Sequence, residues 1–121
     1  MYEIKLLQGK VHGITITDAN VKYEGSLTLD AGIMNAAGMI PNQEVHVVNN
    51  NNGERIVTYL IRGKRGSGVC CLNGAAARKG VPGDKIIVMT YLTIDQTKAK
   101  SWKPIRVFIN DKNKIKKIKS N

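Results

Sequence analysis

Four short stretches of this chain carry residue types that can do chemistry. In Tyr23-Glu24-Gly25-Ser26 a hydroxyl directly follows a glycine carbonyl. Glycine can take backbone angles that expose its carbonyl, and the next residue's hydroxyl reaches that carbon with little motional cost. The chemistry on offer is an intramolecular acyl shift, in which the serine oxygen displaces the backbone nitrogen. Taken alone, though, Gly-Ser is a turn signal. Arg55 follows an Asn-Gly turn. Its planar guanidinium suits a bidentate grip on a carboxylate, yet a lone arginine there also reads as a solvated strand residue. Lys10 and His12 alternate with Val11, so both basic side chains share one strand face. Asn73-Gly74-Ala75-Ala76 is a run of small residues near a helix start. Its backbone N–H groups could cradle a carboxylate, or its small side chains could simply allow close packing.

The elements that must hold these residues are mostly strands. Alternation and β-branched content predict strands over 3–7, 10–17, 26–29, 44–48, 54–61, 69–72, 85–93 and 105–109. Asp30 is placed to cap a short helix over 31–37 that Gly38 ends. One helical turn fits within 73–80, and tight turns fit Asn49–Gly53 and Val81–Asp84. The stretch 94–103 is polar and reads as a loop anchored by Trp102. Period two puts Arg55, Val57 and Tyr59 on one face of their strand. Thr58 points to the other. Many short strands, two short helices and glycine-rich turns make the fold class mainly β, a compact barrel with mixed pairing.

A length of 121 residues suits a single domain, with little room for a deep pocket on its own surface. Apolar residues make up 42% and charged residues 23%, a composition that fits a soluble globular chain. No apolar run is long enough for a membrane helix, and the first residues lack a signal-peptide layout, so the expectation is a cytoplasmic protein with no membrane partner. The adjacent Cys70 and Cys71 match no metal spacing and read as two reduced thiols. Net charge is +10, and five lysines fall in the last ten residues. The basic tail, 110–121, reads as a frayed, solvated end. Charge alone leaves open a second class, a small basic β-barrel that binds nucleic acid, although no stripe of aromatic residues supports it.

Across nearly its whole length the chain resembles bacterial aspartate 1-decarboxylases. The matching pieces are Leu7-Gln8-Gly9-Lys10 with His12, Tyr23-Glu24-Gly25-Ser26, Ala36-Ala37-Gly38, Asn52-Gly53 with Arg55, and Thr58-Tyr59. Arg65-Gly66-Ser67, Asn73-Gly74-Ala75-Ala76-Ala77 and Gly83-Asp84 follow, in the family's order and spacing. No piece is specific alone; the ensemble is. The tail from about residue 110 lies outside the likeness, and Val48 stands where enterobacterial members have tryptophan.

The resemblance implies a double-psi β-barrel assembled as a homotetramer with active sites between subunits. It implies self-cleavage at Gly25–Ser26 into residues 1–25 and 26–121, with Ser26 becoming a covalent pyruvoyl group. That cofactor would take L-aspartate as a Schiff base and release CO2 and β-alanine, which supplies pantothenate and coenzyme A synthesis. Thr58 resembles the oxyanion support of the cleavage step, and a bend or bulge would be needed to bring it to that bond. Asn73 and Tyr23 resemble residues that hold the processing region. Tyr59 resembles the proton donor to the decarboxylated carbon, and Arg55 the carboxylate clamp. Lys10 resembles a second basic group from a neighbouring subunit, with His12 its companion. Asn73, Gly74, Ala75 and Ala76 are carried over as further substrate contacts. Some relatives need a separate maturation protein, so such a factor is a candidate partner. No metal and no nucleic acid is expected.

Overall fold

A computed structural model describes residues 1–120. The strands are β1 (Glu3–Thr15), β2 (Asp18–Asn20), β3 (Ser26–Asp30), β4 (Glu44–Asn49), β5 (Arg55–Gly63), β6 (Cys70–Asn73), β7 (Lys85–Asp95), β8 (Ile105–Ile109) and β9 (Ile115–Ser120). Helices α1 (Ala31–Ala36) and α2 (Gln96–Ala99) are short, and a 3-10 helix covers Gly74–Lys79. The protein is therefore mainly β with short helices.

The strands form one hydrogen-bonded ladder in the order β2-β6-β3-β5-β4-β7-β1-β8-β9. Pairing is mixed: β1–β8, β2–β6 and β3–β5 are parallel, the rest antiparallel. Val11, Leu27, Val45, Leu60, Leu72, Ile86, Val88 and Val107 are all fully or nearly fully buried and belong to one core. They come from seven successive strands of the ladder, from β6 to β8. Flat, seven strands would span roughly 30 Å at about 4.8 Å each. One shared core therefore requires a strongly coiled sheet. Beyond β1, Ile16 N–H donates to the Asp84 carbonyl and Thr17 N–H to that of Cys70. Those bonds carry the chain from the β1–β7 pair across to β6.

Two strands expected over 3–7 and 10–17 are a single β1. Register shifts between Leu7 and Gly9 and between His12 and Ile14 keep it continuous against β7. Bulges of this kind absorb an extra residue and add bend; Gly13, at φ +83°, is the residue absorbed at the second. Helix α1 starts as expected, with the Asp30 carboxylate accepting from Gly32 N–H at 2.7 Å. The same carboxylate accepts from Gly66 and Gly68 N–H at 3.1 and 2.8 Å, so it also ties down the loop before β6. Trp102 anchors its segment by donating to the Leu7 carbonyl at 2.9 Å, but that segment includes α2, capped by Asp95, and is not loop throughout.

The basic tail is not a frayed end. It turns back at 110–114 and pairs as β9 along β8. Asn113 sits at φ +56°, a left-handed angle that asparagine tolerates well. It is buried, its Nδ2 donates to the carbonyls of Thr15 and Gly68 at 2.8 Å each, and its Oδ1 accepts from Thr15 N–H at 2.9 Å. Lys117 and Lys119 lie over the Phe108 ring at 5.1 and 5.8 Å. Charge and terminal position concealed a strand whose anchor is an uncharged residue.

Candidate active site

Ser26 opens β3 and has no solvent-accessible surface. Its hydroxyl donates to the Glu24 carbonyl at 3.0 Å and accepts from Asn73 Nδ2 at 3.0 Å. Asn73 also donates to Thr28 Oγ1 at 2.9 Å. Its own oxygen accepts from the Cys71 thiol at 3.3 Å. The register explains this quartet. In the antiparallel β3–β6 pair Ser26 faces Asn73 and Thr28 faces Cys71. Alternation sends Leu27, Leu29, Cys70 and Leu72 into the core and leaves these four side chains together on the other face. Burial, followed by the Asp18 carboxylate, pushes the Cys71 thiol pKa up, so at neutral pH it is a donor. Cys70 is fully buried, and burial pushes its thiol higher still. Both thiols are free, as expected.

Gly74 packs closely against Gly25. A Cβ added there would come within 2.5 Å of Gly25 N and 2.6 Å of Gly25 Cα, and Gly74 sits at φ +63°. Only glycine allows both the angle and the approach. Tyr23 is exposed and contributes its backbone: its carbonyl lies beside Gly74, 2.8 Å from that Cβ position.

Tyr59 is half-buried on β5. The parallel β3–β5 register begins at Leu27–Leu60, so one step back sets Ser26 beside Tyr59 on the same face. Arg55 and Val57 share that face and are exposed. The Arg55 guanidinium, a donor only, lies 3.3 Å from His46 Nδ1. His46 Nδ1 must then accept, which leaves the ring proton on Nε2, 3.3 Å from Glu44 Oε2. The His46 ring meets Tyr91 edge-on at 5.0 Å. Arg55, His46, Tyr91, Lys5 and Leu7 line an open depression of about 300 Å³.

Lys10 and His12 lie on this same sheet face. Lys10 pairs with Met89, Met89 with His46, and His46 with Val57. His12 runs through Ile87 and Val48 to Arg55 in the same way. Three strand spacings of about 4.8 Å put Lys10 roughly 14 Å from the Arg55 strand. His12 Nδ1 is buried without a hydrogen-bond partner, among the described residues. Burial, followed by the Lys10 charge, lowers its pKa and keeps the ring neutral.

Thr58 pairs with the fully buried Val45, and the β4–β5 pairing runs through Thr58 without a register shift. No bulge turns it from the inner face toward Ser26. Gly74 and Ala76 at the start of the 3-10 helix are buried, and Ala75 is exposed. Sequence reasoning gave Thr28, Cys71, Tyr91 and His46 no part in the site. Spacing from Asn73 and Ser26 to Cys71 and Thr28 is two residues in each case, a signal that the strand pairing alone makes readable.

The class this arrangement defines is a small β protein that buries a serine directly after a glycine, inside a hydrogen-bonded group of four side chains. The aspartate decarboxylase family model matches residues 2–116. The chain is 50% identical over 115 residues to an aspartate 1-decarboxylase of Clostridium botulinum, covering 95% of this chain and 93% of that one. It is 55% identical over 105 residues to one of Parabacteroides distasonis, covering 87% and 90%. With one of Bacillus subtilis it shares 49% identity over 116 residues, covering 96% and 91%. This chain belongs to the aspartate decarboxylase family, and the match reaches past residue 110 into the turn and first residues of β9.

Proposed function

We propose that this protein is a pyruvoyl-dependent aspartate 1-decarboxylase that forms β-alanine and CO2 from L-aspartate, a product that feeds pantothenate and coenzyme A synthesis. The observation that carries the reading is Ser26 Oγ, held between Asn73 and Glu24 while Gly74 packs on Gly25. The cradle fits a maturation site, because it buries one hydroxyl directly beside the preceding carbonyl and leaves a Cβ no room at Gly74.

Ser26 Oγ attacks the Gly25 carbonyl carbon, and its proton passes to the amide nitrogen as the C–N bond breaks. The result is an ester on Ser26 with a free amine. Loss of the Ser26 α-proton to a base expels the Gly25 carboxylate and leaves dehydroalanine. Water then releases ammonia and leaves the pyruvoyl group at the head of residues 26–121. Thr58 is proposed as the oxyanion support, which requires a movement of β5 or of the 21–25 segment. A separate maturation protein is a candidate partner for that movement.

The pyruvoyl group, when formed, supplies a carbonyl that condenses with the substrate amine and accepts the electron pair that CO2 leaves behind. Arg55 grips the carboxylate that is retained, so that the other is the one lost. Tyr59, beside Ser26 in register, holds the proton destined for the substrate carbon. Lys10 and His12 share a sheet face with Arg55, three strands away along it. The family likeness supports a homotetramer with sites between subunits, in which Lys10 and His12 serve a neighbouring copy's site. The N–H groups of Gly74, Ala75 and Ala76 are further donors to substrate. The double-psi barrel is our reading of the coiled ladder, supported by its single core and its three parallel pairs.

Intact-mass measurement of the purified protein tests this. Two pieces, residues 1–25 and 26–121, with a blocked N-terminus on the larger and β-alanine formed from aspartate, are expected. One uncut chain that forms no β-alanine overturns the proposal.

A further inference from the structure

We infer that Cys71 is a positioning residue for self-processing: its thiol fixes which way the Asn73 amide faces, and through that amide sets the lone pairs of Ser26 Oγ. This rests on the maturation reading above.

An asparagine side chain can turn over, exchanging its oxygen and nitrogen within nearly the same volume. Here the two ends meet different neighbours. The nitrogen faces two hydroxyl oxygens, Ser26 Oγ at 3.0 Å and Thr28 Oγ1 at 2.9 Å, which use both of its protons. The oxygen faces Cys71 Sγ at 3.3 Å. The thiol has one proton, and its alternative acceptor, the Leu72 carbonyl, is farther away at 3.8 Å. In this orientation every polar atom of the amide is satisfied.

The consequence lies at Ser26. A hydroxyl has one donor and two acceptor positions. The proton goes to the Glu24 carbonyl and one lone pair receives the Asn73 N–H, which leaves the other lone pair free for the Gly25 carbon. With the amide reversed, the Ser26 proton would turn to the Asn73 oxygen, and Glu24 would lose its donor. A thiol at residue 71 disfavours that reversal, because its sulfur is a weak acceptor for the amide N–H that would then face it. Valine or alanine there would leave the orientation unbiased from that side.

The test is a time course of cleavage by intact mass on freshly synthesised precursor. It compares wild type with Cys71→Val, Cys71→Ala and Cys71→Ser, alongside the thermal midpoint of each. The variants lacking a donor should cleave roughly fivefold more slowly, the factor an ordinary hydrogen bond is worth. Serine, which keeps the donor, should recover most of the rate. Valine and alanine variants that cleave at the wild-type rate overturn the inference. So does a serine variant as slow as valine, or failure of both valine and alanine variants to fold, since either result makes Cys71 a packing residue. An uncut wild type would instead refute the maturation reading itself.

Discussion

Asn73 reaches across the β3–β6 pair and donates to Ser26 Oγ at 3.0 Å, between residues 47 positions apart in sequence. Both groups are buried, so neither can exchange the other for water. Asn73→Ala strips a donor from two hydroxyls at once. Leaving buried polar groups unpaired costs about 1–3 kcal/mol. The variant should cleave more slowly than wild type and unfold at lower denaturant, which intact mass and a urea titration would each show.

Gly74→Ala should be the more severe change. It puts a methyl against Gly25 in a backbone conformation that alanine resists, with strain of roughly 1–3 kcal/mol. Since the clash falls on the residue that supplies the attacked carbonyl, cleavage should fail while the core strands still form. An uncut mass with a near-native circular dichroism spectrum is the expected pair of results. Normal processing would show that the 21–25 segment yields easily.

Arg55→Ala should leave cleavage untouched, since Arg55 lies outside the Ser26 quartet. It should weaken aspartate use. A charge-assisted hydrogen bond is worth about 1.5–3 kcal/mol, so kcat/KM should fall by roughly 10- to 150-fold. Lysine at this position restores charge without the planar fork and should recover only part. Steady-state β-alanine production by the matured variants decides it.

Acid stability should depend on Asp30. Burial alone would raise its pKa, but the N–H groups of Gly68, Gly66 and Gly32 more than offset this and hold the carboxyl below the ordinary range. A folded-state pKa below the unfolded one adds stability above the unfolded value, and that stability is lost as pH falls through the folded one. Asp30→Asn should therefore lower the thermal midpoint at pH 7. The gap from wild type should narrow below roughly pH 4, where the unfolded carboxyl is protonated. A gap that stays constant with pH would mean that shape, not charge, matters at this position.

Much of the frame was legible before any coordinates. Alternation located β3 to β8 within a residue or two, and Asp30 and Gly38 bracketed α1, because strand period and helix caps are local signals. Bulges at Gln8 and Gly13 were not visible, since a bulge is defined by its partner strand. The tail misled because five lysines looked like solvation, whereas Asn113 closes the turn from inside. At the site, the Arg55–Tyr59 face followed from period two alone. The Ser26, Thr28, Cys71 and Asn73 grouping did not, for it exists only once β3 lies against β6. Gly74 likewise looked like any small turn residue until Gly25 was seen beside it.

The place of β1 has a consequence for molecularity. It is paired on both sides, by β7 along nearly its whole length and by β8 along Gly9–His12, and β2 is paired to β6. A cut before Ser26 would make residues 1–25 a separate peptide, held by strand pairing, side-chain bonds and core packing but no covalent link. Unfolding would then be a dissociation, and recovery a second-order encounter that becomes slower on dilution. The uncut chain would keep that segment attached, so its return to β7 and β8 would not depend on dilution. Maturation on this scaffold would thus trade a reversible folding reaction for an assembly that, once taken apart in dilute solution, does not readily return.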